Sequence, residues 1–136
     1  MTMATIKSYT DINQSRKLAE ILPLESADTF IADVFDKEKE THSYNFHILS
    51  TWRCNTFEEL KGRENKFVHF IPCWSLTALL DVLPDGTDIV KDKADTENEK
   101  YMCTVGIKND IVSTFGNNPI DTCVDMILKL KQNKLL

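Results

Sequence analysis

Gly116-Asn117-Asn118-Pro119-Ile120-Asp121-Thr122-Cys123-Val124-Asp125-Met126-Ile127-Leu128-Lys129-Leu130-Lys131-Gln132-Asn133-Lys134-Leu135-Leu136 decides the fold, because it specifies a helix that must dock. Asn118 supplies an N-cap, Pro119 fills the first helical position with φ already set, and Asp121 falls where a capping-box acceptor sits. Acids come early (Asp121, Asp125) and bases late (Lys129, Lys131, Lys134), which suits the helix dipole. Ile120, Cys123, Val124, Ile127 and Leu130 recur at helical spacing and make one apolar stripe.

That stripe needs a surface to cover, and the residues just before it provide one. Tyr101, Cys103, Val105 and Ile107 alternate with Met102, Thr104 and Gly106, and a second run follows over 110–115. Two such runs around Lys108-Asn109 predict a β-hairpin, with Asn109 the residue that tolerates positive φ. Residues 101–136 therefore read as a β–β–α unit. Its late lysines are dipole partners and solvating groups rather than phosphate readers.

Further out, 74–83 is the most hydrophobic segment, with Leu76, Leu79, Leu80 and Leu83 on one helical face and Pro84-Asp85-Gly86 closing it. Phe67, His69 and Ile71 predict a strand, and Tyr44, Phe46 and Ile48 predict a half-buried one. Residues 10–22 read as a helix capped by Thr10 and stopped by Pro23. Phe30, Ile31, Val34 and Phe35 fit a short helix over 26–36, although the run is aromatic enough for a strand. A charged turn over 36–41, a loop over 50–65 with one helical turn at 56–60, and a short strand over 87–90 complete the chain. The expected fold is α+β. An antiparallel sheet of about four strands (44–49, 66–71, 101–107, 110–115) carries three helices (10–22, 73–83, 119–133), mainly on one face. One domain spans 1–136, with 1–8 and 91–100 flexible.

Composition narrows the function by exclusion. No run of 18 apolar residues marks a transmembrane helix, and the N-terminus lacks signal-peptide architecture, so a soluble, cytoplasmic protein is expected. A formal net charge of −5 argues against broad phosphate-backbone binding. Cys54, Cys73, Cys103 and Cys123 contain no C-x-x-C pair and read as buried free thiols. His42, His47 and His69 have no ligand spacing, so no metal and no cofactor is expected. Gly62, Gly86, Gly106 and Gly116 are too far apart for a phosphate-cradling loop, and the carboxylate pairs at 58–59 and in 92–99 lie in polar segments.

Two stretches carry candidate chemistry. Trp52, Arg53, Lys61, Arg63 and Lys66 form the one locally basic and aromatic segment, the vocabulary of a binding hot spot or of single-strand contacts. Cys73 precedes a helix, where amide N–H groups can lower a thiol pKa, and His69 stands four residues back.

Three blocks also look familiar together: Tyr9-Thr-Asp-Ile-Asn-Gln-Ser-Arg-Lys-Leu-Ala-Glu20, Ile71-Pro-Cys-Trp-Ser-Leu-Thr-Ala-Leu-Leu-Asp-Val-Leu-Pro84 and Gly116-Asn-Asn-Pro-Ile-Asp-Thr-Cys-Val-Asp-Met-Ile127. In this order, the chain resembles uncharacterised small proteins of gut anaerobes, their phages and integrated elements. The resemblance implies a phage or mobile-element context and brings no activity or catalytic residue. The expected function is a non-enzymatic protein-interaction or accessory protein. A homodimer would fit, with the hairpin edge or the outer face of the last helix as contact. The alternatives are a weak single-strand nucleic-acid binder through 52–66 and a cysteine-dependent enzyme at Cys73.

Overall fold

The computed structural model describes residues 7–91 and 100–136. The flexibility expected of 1–6 and 92–99 lies outside the described residues. In chain order the elements are α1 (Ile12–Ile21), β1 (Thr29–Asp36), β2 (Thr41–Ile48), α2 (Phe57–Lys61), β3 (Val68–Cys73), α3 (Leu76–Val82), β4 (Asp88–Lys91), β5 (Tyr101–Ile107), β6 (Asp110–Gly116) and α4 (Pro119–Gln132). Short 3₁₀ turns at Leu24–Ser26 and Leu49–Trp52 flank the first hairpin. No helix among the described residues is long and apolar enough to cross a membrane.

The fold is α+β, but two antiparallel three-stranded sheets replace the single sheet expected: β2-β1-β3 and β4-β5-β6. The difference begins at 29–36, which is a strand and not a helix. Phe30 and Ile31 are wholly buried and Ala32 nearly so. A central strand covered on both faces reads as a continuous apolar run, and that pattern does not separate strand from helix. With β1 in place, β2 pairs with it from Asp36↔Thr41 to Thr29↔Ile48, and β3 pairs on its other side from Val34↔Val68 to Thr29↔Cys73.

Two cores follow. The larger is made by α1, α3, α4 and the second sheet, around Leu18, Trp74, Leu79, Val105, Met126 and Leu130. Every residue of the α4 stripe is buried there. Each such aliphatic side chain contributes up to about 1.5–3 kcal/mol relative to an exposed one. The smaller core lies under one face of the first sheet, where Phe30, Ala32 and Phe70 meet Leu49, Phe57 and Leu60.

Local chemistry explains the joints. The N-cap of α1 is Asp11, whose side chain accepts from Gln14 N–H at 2.8 Å, with Gln14 returning the bond to Asp11 N–H. Thr10, expected in that role, is wholly buried. Its hydroxyl oxygen accepts from Trp74 N–H at 3.1 Å, and its own N–H donates to the Trp74 carbonyl at 3.0 Å. Those bonds fasten the approach to α1 onto the end of β3. In the second hairpin the left-handed residue is Lys108, at φ 55°, rather than Asn109. Asn118 caps α4 as expected, accepting from Asp121 N–H at 2.9 Å.

Candidate functional site

Side chains alternate across a strand, so the first sheet has one face over the smaller core and one turned the other way. The second face carries His42, Tyr44, Phe46 and Ile48 of β2, Ile31, Asp33 and Phe35 of β1, and His69 and Ile71 of β3. Phe67 continues it just before β3. Tyr44 is 41% exposed, Phe46 and Ile48 48% each, and Phe67 38%. Expected as the inward side of a half-buried strand, Tyr44, Phe46 and Ile48 point outward instead. The inward positions of β2 are Ser43, Asn45 and His47, and only His47 gains cover, from Phe30 and Trp52.

The exposed rings are ordered against one another. Tyr9 stacks on Phe46 with centroids 6.1 Å apart, His42 stacks on Tyr44 at 6.1 Å, and Phe35 lies 5.1 Å from His42. Nδ1 of His42 is 2.7 Å from an Asp33 carboxylate oxygen, which fixes that imidazole over the sheet.

The edge of β2 is part of the same surface. Phe35 N–H donates to the Phe67 carbonyl at 2.8 Å, so odd residues of β1 direct their backbone groups to β3 and even ones to β2. On β2, by the register, Thr41, Ser43, Asn45 and His47 face β1. His42, Tyr44, Phe46 and Ile48 direct theirs away from the sheet. A groove of about 280 Å³ runs along this edge between Tyr9, Phe46, His47, Ile48 and Thr51.

The structure divides the basic and aromatic residues singled out in the sequence: Trp52 and Arg63 lie over the other face, and Lys66 lies beside Phe67 on the outer one. Trp52 is half-buried, its ring edge-on to Phe30 and Phe70 at 5.5 and 5.6 Å. Arg63 donates to the Trp52 carbonyl at 3.0 Å, and the Lys66 ammonium stands 5.9 Å above the Phe67 ring. Arg53 is exposed in the left-handed conformation, and Lys61 is exposed at the end of α2. Glu58, Glu59 and Glu64 are interspersed among these four cations. Among the described residues none of the four is in an ion pair.

Cys73 is wholly buried, and its thiol donates to the Thr10 carbonyl at 3.1 Å. His69 shares its face of β3, but four residues of strand separate the two by about 13 Å, beyond thiol–imidazole contact. Its Nδ1 lies 3.2 Å from Glu64 instead. Among the described residues no group of three or more His, Cys, Asp or Glu could hold a metal ion. A larger cleft of about 650 Å³ opens between the two 3₁₀ turns and α3, beside Glu25, Asp28, Asn55 and Asp81. Its Asp28 carboxylate is committed to the backbone and hydroxyl of Ser75.

The perturbed titrations lie away from both faces. At the joined N-termini of α1 and α4, burial opposes ionisation of Asp121, yet hydrogen bonds from Lys7 (2.7 Å), Gln14 (2.8 Å) and Asn118 (2.8 Å) hold its pKa below the ordinary range. The Cys123 thiol, hydrogen-bonded to Cys103 and buried in the larger core, is pushed far above the usual thiol range. No family model, curated protein or solved structure matches the chain.

Proposed function

We propose that this chain is a non-enzymatic interaction protein that works by protein–protein contact through the outer face of its first sheet. The observation that carries the reading is the cluster of Tyr44, Phe46, Ile48 and Phe67, four large apolar side chains each more than a third exposed and sharing one sheet face. Contiguous apolar surface of this kind marks interaction sites, and aromatic residues dominate their energetics. The resemblance to proteins of phages and integrated elements makes an accessory role in such an element the natural setting. The single-strand reading of 52–66 has less support, since the Trp52 ring is built into the smaller core and carboxylates dilute the charge. The cysteine-enzyme reading has less again, since Cys73 has no solvent contact.

A benzophenone amino acid at Phe67, in cells that encode the chain, tests the proposal. A discrete protein adduct from position 67 is expected, with none from Asp85 in the exposed turn after α3. Equal labelling from both positions, or none from either, overturns it.

A further inference from the structure

We infer that the β2 edge pairs with β2 of a second copy of this chain, antiparallel about a twofold axis at Asn45, so that two three-stranded sheets join into one of six strands. The inference rests on the reading of the first sheet's outer face as a contact surface and names the partner at its margin.

Exposed strand edges invite pairing, and proteins blunt the ones that must stay single. Among the described residues, three of the four sheet edges are blunted. On β3 three of the outward groups are taken: Val68 N–H and Phe70 N–H donate to the side chains of Asn65 and Glu64 at 3.0 and 3.1 Å, and the Val68 carbonyl accepts from Asn65 N–H at 3.0 Å. Pro72 has no N–H to offer. On β6 the Lys129 ammonium reaches the Ser113 carbonyl at 3.4 Å, in the middle of the outer edge. Strand β4 is four residues long with Asp88 and Lys91 at its ends. Strand β2, by contrast, runs for eight residues, Thr-His-Ser-Tyr-Asn-Phe-His-Ile, without a Lys, Arg, Asp, Glu or Pro.

The partner and register follow from which groups are open. On β2 only His42, Tyr44, Phe46 and Ile48 direct backbone groups outward, with the Ile48 carbonyl already accepting from the Thr51 hydroxyl at 2.6 Å, so a pairing strand must present a matching alternate set. A second β2 does so about a twofold at Asn45: Tyr44 faces Phe46 of the second copy, and His42 faces Ile48. Moving the axis one residue either way puts Glu40 of the turn (φ 53°) or Ser50 of the 3₁₀ turn into the seam and leaves one strand residue unmatched. The groove beside Phe46 and Ile48 then receives Tyr44 of the second copy. Because β2 carries no formal charge, the seam sets no like charges against each other despite the net charge of −5. Tyr44, Phe46 and Ile48 still expose about 100 Å² each. With the strand backbones, two copies bury at most about 1,000 Å², the lower bound of a specific interface.

Asn45 provides the test. It is exposed, and on the axis it meets its own copy as a non-hydrogen-bonded pair with Cα atoms about 4.5 Å apart, within disulfide range. All four native cysteines are buried and stay silent. Under diamide oxidation, N45C is expected to form a covalent dimer while S43C, about 13 Å from its counterpart, stays monomeric. Sedimentation of the unmodified chain at about 100 µM should show a dimer, and Y44K should weaken association at least tenfold with an unchanged circular dichroism spectrum. A monomer at that concentration, or S43C cross-linking as readily as N45C, overturns the pairing. Neither result touches the contact-surface reading, which is scored separately by Phe67 at the far side of the face.

Discussion

Gly116 offers a quantitative test of the joint between the second hairpin and α4. A Cβ built there would lie 2.6 Å from Thr122 Oγ1, 3.3 Å from its backbone N and 3.5 Å from its Cα. Thr122 cannot retreat easily. It is wholly buried, its hydroxyl donates to the Asn118 carbonyl at 2.8 Å, and its own carbonyl accepts from the Thr114 hydroxyl at 2.8 Å. Gly116→Ala therefore overpacks a fixed site, which costs about 1–3 kcal/mol. Gly116 is not in the left-handed region, so Ala fits its backbone and returns about 0.5–1 kcal/mol of chain entropy. The net loss is about 0–2.5 kcal/mol, or up to about 9 °C in Tm for a domain of this length.

The partner substitution identifies the cause. Thr122→Ala removes the hydroxyl in the way and also its bond to Asn118, at about 1 kcal/mol. In the double variant the closest contact is gone, so the loss should fall short of the two single losses summed by about 1 kcal/mol. Urea unfolding followed by tryptophan fluorescence supplies the four free energies of the cycle. Two losses that merely add would refute the steric account.

Three further outcomes follow from the cores and the charged joint. Phe30→Ala, at a wholly buried ring between Phe70, Trp52 and His47, should cost about 3–5 kcal/mol in the same assay, and Phe46→Ala below about 1 kcal/mol in the monomer. Although burial opposes ionisation at both carboxylates, hydrogen bonding holds Asp11 and Asp121 below their ordinary 3.8, so their stabilisation is present above 3.8 and lost as pH falls through the folded values. Burial and the Asp121 charge raise Asp125, which works in the opposite sense. Asp121→Asn should cost about 1 kcal/mol at neutral pH, discounted because the carboxylate is a third exposed, and should flatten the acid limb of a Tm-against-pH curve. A thiol reagent should modify none of the four cysteines rapidly in the native state and all four after unfolding.

What could be read from the residues was what short-range chemistry determines. Asn118, Pro119 and the apolar stripe delimit α4 whatever lies around it, and the 101–116 hairpin is announced by its alternation. Strand β1 was illegible because burial on both faces erases period two. Strand β1 is the shared partner of β2 and β3, so without it the division into two sheets has no local signal. Trp52 attracted notice through its basic neighbours, while its packing against Phe30 and Phe70 depends on a sheet not visible locally. The alternation Tyr44-Asn45-Phe46-His47-Ile48 does locate a face, but which side turns inward is decided by what covers the strand.

An edge is a relation among strands, so no pattern within β2 could declare it one; a mark of its use is nonetheless present. Charged residues make up 27% of the chain, so eight positions would carry about two. Strand β2 has none, and the turn immediately before it, Lys37-Glu38-Lys39-Glu40, has four in succession. Charge stops where the strand begins. Solubility alone gives no reason for that boundary, since a charged side chain on an exposed edge is inexpensive and protects against unwanted pairing. A strand that must admit a neighbour has the opposite requirement: side chains that can be desolvated without an unpaired charge. The bare edge and the aromatic face beside it answer to that one requirement, and the cross-link at Asn45 measures whether the neighbour is the chain itself.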